Sequence, residues 1–460
     1  MKRTPEERSQ NMLYEAEARQ ITISAVGDTT IYSHLSPHRE DRFLSLLKVI
    51  RDADVAYAHE EGSIRTDEGY PSHDTGGYQS QPPFAADELK WLGFDIVTCG
   101  SNHTLDYAVG GLLSTIENLD RVGLVHAGIG RDLTEARTPV YFDSAKGRVG
   151  LISMCSYFSP WARAGEKWGE DAGRPGLNPL RYETRYVVDA QALQELKRIS
   201  EMLGMEKQKV ASAQSTMTER PLSGTGTEFN FLPTNFVGTT YNKFVLGDKP
   251  GIDTVANDQD AKENIRWIKD ARKQSDWVLV AVHSHEADGE RGKPARFLPP
   301  FAKACIDAGA DAVIGTGPHV LRGIEIYKGK PILYSLGNFI YHVDVQRRQP
   351  PEYYERYEMD PELTPQEVGD VITKNDTAGN VVDPAYWETV CTTLSFKGDK
   401  LDELKLYPVT LGFGKNRAHR GVPLLADGKL GEDIIQRLSK LSEPYGTKID
   451  FRDGIGFVKL

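Results

Sequence analysis

The chain has 460 residues, 26% of them charged, and a formal net charge of −11. No basic stripe interrupts this acidic balance, which argues against nucleic acid as a partner. The length allows one large α/β domain with insertions, or two domains, and no stretch approaches the ~20 apolar residues that span a bilayer, so we expect no membrane segment.

The first twenty residues are charged and contain no apolar core, unlike a secretory signal. We predict a charged helical arm over residues 1–20 and a cytoplasmic location, although a chain trimmed of its leader would look the same. The cysteines are scattered and form no Cys-x-x-Cys pair, which favours buried free thiols in a reducing compartment. They are Cys99, Cys155, Cys305 and Cys391.

Short apolar runs closed by glycine or polar residues predict buried strands, and apolar residues at helical spacing predict amphipathic helices. Strands are predicted at residues 21–26, 54–58, 95–99, 149–157, 278–282, 312–314, 332–336, 390–396 and 404–410. Helices are predicted at residues 42–51, 85–92, 110–122, 189–203, 260–274, 301–308 and 432–441. Loops are predicted at residues 66–83 and 206–250, a loop or lid at 158–181, an insertion at 344–385 and a hairpin at 447–460.

Five of the predicted strands end in side chains that can bind a metal. Open α/β folds place their ligands at the carboxyl ends of the strands, and divalent cations accept carboxylate, amide and imidazole ligands. Any one of these residues is as typical of a cap or a loop, but their recurrence predicts one shared metal-binding, hydrolase-like site. In chain order they are Asp28, Glu61, Asn102, His103, His283, His285 and His319.

Several of these segments also resemble a known family. Ala25–Asp28, Ser101–His103 and the run Gly309–Phe339, which contains Tyr-Ser-Leu-Gly-Asn-Phe, are similar to the CapA (poly-γ-glutamate capsule synthesis) proteins, a branch of the calcineurin-like metallophosphatase superfamily. The resemblance covers most of residues 20–340. It implies a metallophosphatase-like four-layer α-β-β-α sandwich over residues 21–460, with insertions at about 158–250 and 344–385.

The resemblance also implies a dinuclear metal centre. By this analogy Asp28 binds the first metal and Glu61 takes the bridging position. Asn102 and His283 bind the second metal, and His319 returns to the first.

The chain departs from the superfamily pattern at three points. Thr30 stands where a histidine is expected, His59-Glu60-Glu61 replaces Asn-Leu-Glu, and Gly317 stands where a further imidazole is expected. His285 is a candidate to replace that imidazole. We therefore expect one or two divalent ions, of Mn, Zn, Fe, Mg or Ca.

Further residues are predicted around the metals. His103 is expected to act as an acid or electrostatic group over the reacting centre, and Asp106 either orients it or caps the following helix. If the reaction is a peptide epimerisation, His285 or Glu286 is the candidate base that faces His103 and exchanges the Cα proton with it. Arg322 is expected to bind an anionic substrate, and Asn338 either contacts the site or satisfies its turn.

The function predicted from these features is metal-dependent hydrolysis of an amide or peptide bond of the γ-glutamyl type, or of a phosphoester. Two alternatives remain open at this point. One is a metal-dependent peptide epimerase, and the other is a non-catalytic component of capsule biosynthesis. The expected partner is a small-molecule or peptide substrate, including anionic ones. The 158–181 stretch, with Trp161 and Trp168, is a candidate specificity segment or a solvated loop.

Overall fold

The protein is described here from a computed structural model that covers residues 20–72, 77–216, 224–231, 242–346 and 349–460. Nearly all of the predicted arm over residues 1–20 lies outside these ranges. Two large sheets and the helices beside them form a mixed α/β structure, which confirms the α/β class predicted from the sequence.

The first large sheet has ten strands within the described ranges. In spatial order, eight of them are Ile449–Arg452, Ile455–Val458, Lys400–Thr410, Glu388–Lys397, Gln20–Thr30, Val55–Glu60, Ile96–Thr98 and Val125–Ala127. Asn338–Tyr341 pairs with Gln20–Thr30, and Leu424–Leu425 pairs with Lys400–Thr410. Gln20–Thr30, Val55–Glu60 and Ile96–Thr98 are mutually parallel, so their carboxyl ends lie at the same edge.

The second large sheet contains six strands over the same part of the chain. Their order is Leu321–Tyr327, Lys330–Leu336, Ala312–Thr316, Trp277–His283, Gly147–Cys155 and Val140–Ser144. Trp277–His283 is parallel to both of its neighbours. The carboxyl ends of Trp277–His283 and Ala312–Thr316 therefore lie side by side.

Smaller sheets surround the two large ones. A four-stranded sheet is made of Glu228–Asn230, Lys243–Leu246, Tyr182–Val188 and Gly251–Ala256. The paired short strands are Gly176–Leu177 with Ile129–Gly130, Ala287–Asp288 with Glu290–Pro294, and Ser63–Ile64 with Ser80–Gln81.

The helices connect these strands. The α-helices are Asp41–Arg51, Phe84–Leu92, Ala108–Val122, Leu133–Arg137, Ala190–Met202, Met205–Thr216, Asp258–Gln274, Leu298–Asp307, Pro351–Arg356, Pro365–Thr373 and Gly428–Ser442. The 3₁₀ helices are Pro160–Ala162, Val343–Val345, Gly379–Val382, Pro384–Trp387, Arg417–His419 and Glu443–Tyr445. Among the helices seen in the described ranges, none combines the length and the apolar character needed to cross a bilayer.

Strand alternation divides the core into clusters. In Val55–Glu60, the side chains of Val55 and Tyr57 join a cluster shared with the second sheet, whereas Ala56 and Ala58 join a cluster shared with helices of the first sheet. Successive strand residues point to opposite faces, so both faces of this strand are buried. A third cluster joins the second sheet to Asp258–Gln274 and Leu298–Asp307.

The structure differs from the sequence prediction mainly in the insertions. Residues 206–250 were interpreted as a loop, but their described parts include most of Met205–Thr216 and two strands of the four-stranded sheet. These strands are only partly buried, so the apolar pattern that identifies a core strand is weak in them. Leu321–Tyr327 was also missed, because Arg322 and Glu325 are buried within it.

Candidate metal centre

The carboxyl ends of four strands bring predicted ligands together at the edge between the two large sheets. Asp28 lies near the end of Gln20–Thr30, Glu61 follows Val55–Glu60, His283 ends Trp277–His283 and His319 follows Ala312–Thr316. His319 Nδ1 lies 3.6 Å from Asp28 Oδ2, and its Nε2 lies 3.7 Å from Glu61 Oε1. His283 Nε2 lies 4.0 Å from the same Glu61 oxygen. Loops that are distant in the chain therefore meet at one point.

The loop after Ile96–Thr98 contributes Asn102 to the same cluster. Asn102 Oδ1 lies 2.9 Å from His283 Nε2 and 3.0 Å from His285 Nε2, and the two Nε2 atoms are 3.1 Å apart. Burial and neighbouring imidazoles lower the pKa of His283 and of His285 well below the usual value. Both rings are therefore neutral at neutral pH. The two Nε2 atoms and Asn102 Oδ1 thus bring three lone pairs to one point.

Two polar side chains set which ring nitrogen of the histidines faces the cluster. His283 Nδ1 lies 3.1 Å from Thr316 Oγ1, and His319 Nδ1 lies 2.8 Å from Asn338 Oδ1. If each Nδ1–H donates to its oxygen, each Nε2 keeps its lone pair for a cation. Such outer partners fix the tautomer and the orientation of metal-binding histidines.

The donor atoms fit divalent cations. Three overlapping groups place their donor atoms within 4.8 Å of one another: Asp28, Glu61 and His319; Glu61, His283 and His285; and Asp28, His59 and His283. Buried Asp28 Oδ1, His59 Nε2 and Glu61 Oε1 have no hydrogen-bond partner among the described residues. Because buried polar atoms are normally paired, these atoms match a site that is completed by cations.

The electrostatics of the carboxylates agree with this fit. Burial, reinforced by the charge of Glu61, raises the pKa of Asp28 well above its ordinary value, although His319 acts in the opposite direction. Burial also raises the pKa of Glu61 to about 7. The surrounding protein therefore offers too little positive charge for two carboxylates, a deficit that bound cations would offset.

His59 is a candidate ligand that the sequence interpretation missed. Its Nε2 lies 4.0 Å from Asp28 Oδ1, its Nδ1 lies 2.9 Å from Thr98 Oγ1, and its ring stacks on that of His283 at 4.6 Å. Burial lowers its pKa to about 3, so the ring is neutral. A signal was present in the sequence, because residues two apart on a strand share a face, and His59 precedes Glu61 by two.

The backbone explains how His285 comes to lie beside His283. A Cβ at Gly317 would lie 2.9 Å from Ser284 N and 3.2 Å from His285 Cδ2. A side chain at position 317 would therefore collide with the segment that carries His285. Gly317 has a φ of 112° and His319 one of 59°, and a left-handed non-glycine residue such as His319 typically marks a strained functional position.

His103 and Asp106 form a hydrogen-bonded pair beside the ligands. His103 Nδ1 lies 2.7 Å from Asp106 Oδ2, which also accepts a hydrogen bond from the Gln79 amide at 2.6 Å. Burial favours the neutral His103 ring, but the Asp106 carboxylate and the nearby Glu61 and Asp28 charges together raise the pKa of His103 to about 9. Asp106 thus orients His103 and stabilises its protonated form.

Two predicted residues lie elsewhere than expected. Arg322 is fully buried, and its guanidinium donates to the backbone carbonyls of Ser284, His285, Glu286 and Arg291. It holds the turn that carries His285 and is not open to a substrate anion. Glu286 accepts hydrogen bonds from Ser156 and Ser284, both at 2.8 Å, so the structure places it as a support of the same turn.

Asn338 lies beside the ligands rather than facing outwards. Its Oδ1 lies next to His319, and its Nδ2 donates to the backbone carbonyls of His319 and Tyr386. This placement orients His319 and connects the segment around Tyr386 to the centre.

The prediction of free, buried thiols is confirmed for the four cysteines, which are Cys99, Cys155, Cys305 and Cys391.

The fold and the donor set define an α/β protein with a carboxylate–histidine centre suited to divalent cations. The family model described as bacterial capsule synthesis protein PGA_cap matches residues 22–343, and the chain belongs to this family. The resemblance to CapA proteins is therefore confirmed.

Individual relatives cover different shares of the chain. "Uncharacterized protein y4sH" of Sinorhizobium fredii is 34% identical over 96% of this chain and 93% of its own length. "PGA biosynthesis protein CapA" of Bacillus subtilis is 34% identical over 70% of this chain and 63% of its own length. "Probable polyglutamine synthesis accessory protein" of Mycobacterium tuberculosis is 24% identical over 62% of this chain and 55% of its own length.

Proposed function

We propose that this protein is a metal-dependent hydrolase that cleaves an amide or peptide bond of the γ-glutamyl type. The observation that carries the proposal is the convergence of Asn102 Oδ1, His283 Nε2 and His285 Nε2 within 3.1 Å of one another, beside the unpartnered oxygen of Glu61. The succession of three core clusters supports a metallophosphatase-like four-layer α-β-β-α arrangement around this centre.

Two of the candidate ligand groups share Glu61. One contains Asp28 and His319, and the other contains His283 and His285, whereas a third group joins Asp28 and His59 to His283. When bound, divalent cations supply Lewis-acid activation of water and of the scissile group. The sharing of Glu61 favours two ions over one.

The other residues act directly on the substrate or on the ligands. His103, held by Asp106 and close enough to Glu61 and Asp28 to feel their charges, is the group to which we assign donation of a proton to the leaving group. Asn338 and Thr316 keep His319 and His283 in the orientation that exposes Nε2. Arg322 holds the turn that carries His285.

The choice of an amide over a phosphoester follows from the relatives, whose names refer to PGA biosynthesis and polyglutamine synthesis. The superfamily analogy alone favours a phosphoester. Hydrolysis of γ-glutamyl amides and of chromogenic phosphodiesters should be compared on the same Mn²⁺-loaded protein. Robust phosphodiester turnover without amide cleavage would overturn the amide proposal.

The same preparation separates the two remaining alternatives. If the reaction is hydrolysis, a γ-glutamyl peptide in heavy water yields free products and no carbon-bound deuterium at Cα of the uncleaved substrate. Incorporation of deuterium at Cα without cleavage would instead identify an epimerase. A purified protein that retains no metal, and whose melting temperature does not respond to Mn²⁺, would favour a non-catalytic capsule component.

A further inference from the structure

The hairpin that follows the turn at residues 283–286 carries an arginine whose contacts lead to the candidate metal centre. Arg291 lies on Glu290–Pro294, which begins four residues after Glu286. Its backbone carbonyl accepts a hydrogen bond from Arg322 Nε at 3.1 Å, and the same guanidinium also binds the carbonyl of His285. The backbone of Arg291 is therefore held by the group that holds the candidate ligand His285.

The side chain of Arg291 lies on a ring that contacts another ligand. Its guanidinium carbon is 5.0 Å from the centre of the Tyr386 ring. That ring stacks on His319 with a centroid separation of 6.1 Å and an interplanar angle of 25°. The carbonyl of Tyr386 accepts a hydrogen bond from Asn338. The position of the Arg291 guanidinium therefore depends on the metal centre in two ways: Arg322 holds its backbone, and the Tyr386 ring lies between its side chain and His319.

Asp383 fixes the arginine without using all of its donors. One Arg291 nitrogen, Nη2, lies 2.5 Å from Asp383 Oδ2, while Asp383 Oδ1 accepts from the Ala385 amide at 3.0 Å. A guanidinium has five N–H donors; Arg291 uses some of them for Asp383 and for the Tyr386 side chain, and its side chain is 43% exposed. A second anion can therefore bind beside Asp383.

We propose that Arg291 binds a carboxylate of the substrate at a distance from the scissile bond, so that the centre selects acyl compounds with a second, free carboxylate. This inference rests on the proposed function and defines its substrate class. Tyr386 on the His319 side and Tyr157, whose ring lies 4.7 Å from that of His285, provide apolar surfaces for the chain between the two ends.

Charge favours a carboxylate over a phosphate at this position. The Arg291–Asp383 pair has no net charge, so a dianionic phosphate would gain little attraction and would be repelled by Asp383. A monoanionic carboxylate carries half that charge and matches the planar geometry of the guanidinium.

The test compares straight-chain dicarboxylates with monocarboxylates of the same length, using calorimetric titration of the Mn²⁺-loaded full chain. Glutarate, adipate and pimelate are matched with valerate, hexanoate and heptanoate, because each monocarboxylate has as many carbons as its partner and also has one carboxylate for the metals. We expect at least one dicarboxylate to bind about tenfold or more tightly than its partner. Arg291→Gln should remove this difference without changing the Mn²⁺ content, and Arg291→Lys should retain part of it.

Arg296→Gln is the matched control. Arg296 follows the same hairpin, is half-exposed and pairs with Asp288 at 3.0 Å, so its replacement should leave the dicarboxylate preference intact. Retained Mn²⁺ with equal affinity for both series, or an undiminished preference in Arg291→Gln, would overturn the inference and leave the metal centre standing. Failure to bind Mn²⁺ and each of Zn²⁺, Fe²⁺, Mg²⁺ and Ca²⁺ would overturn the metal centre and, with it, the inference.

Discussion

Replacement of Thr316 by valine tests the orientation of a metal ligand without touching the ligand itself. The Thr316 hydroxyl lies 3.1 Å from His283 Nδ1 and also bonds to the Asp28 carboxylate. If the hydroxyl proton goes to Asp28, its oxygen is left to accept Nδ1–H, which keeps the lone pair of His283 on Nε2. Valine preserves the shape of the side chain but removes both interactions.

The expected loss can be estimated from similar outer partners. Their removal typically weakens metal affinity by about 10- to 100-fold, which corresponds to about 1.4–2.8 kcal/mol. The measurement is Mn²⁺ affinity by competition with a chelator. Thr316→Ser keeps the hydroxyl and should remain within about threefold of the wild type. Wild-type affinity in Thr316→Val, or an equal loss in Thr316→Ser, would show that the hydroxyl does not orient His283.

Three further substitutions address other parts of the site. His59→Ala should reduce the affinity of one Mn²⁺ ion by about tenfold or more, and unchanged binding in a metal titration would remove His59 from the ligand set. Asp106→Asn should lower the turnover of a γ-glutamyl amide by about 10- to 100-fold at unchanged Mn²⁺ content; equal loss of metal would instead indicate a structural role. Arg322→Met should lower the free energy of unfolding by about 3 kcal/mol, because buried carbonyls lose their donors. Denaturant unfolding measures this loss. In the same assay the control Arg296→Met, at an exposed position, should lower the free energy of unfolding by less than about 0.5 kcal/mol.

The strands that carry the ligands could be predicted because their sequences are unambiguous. Trp277–His283 is apolar throughout and fully buried, and a run of that kind followed by polar residues indicates a buried strand with a functional end. The same pattern predicts Asp28 and His319 at strand ends that share one site. Burial of apolar side chains dominates the stability of these segments, and apolar side chains can be recognised directly from the sequence.

Arg322 shows where such reasoning fails. An arginine three residues after a candidate ligand is a reasonable anion-binding group, yet its guanidinium donates to four backbone carbonyls of a turn whose shape is not visible in the sequence. Buried charges require several hydrogen bonds, and those partners come from residues 284–291. Their proximity depends on the pairing of the sheets, which residue pattern alone does not determine. Arg291 was missed for the same reason.

The departures from the superfamily pattern are related to one another through the geometry of the site. Gly317 lacks the expected imidazole because its backbone lies against Ser284, and that close approach is what places His285 Nε2 beside His283 Nε2. Thr30 likewise lacks an imidazole, while its hydroxyl donates to the Ile340 carbonyl and His59 supplies a neutral ring near Asp28. In each case an imidazole from a neighbouring segment approaches the position that the expected one would occupy. His59 Nε2 is buried without a partner among the described residues, and His285 Nε2 lies against Asn102 and His283. A chain that had merely lost its metal ligands would have no reason to bury imidazoles at these two places, which supports the proposal of a centre with altered ligands.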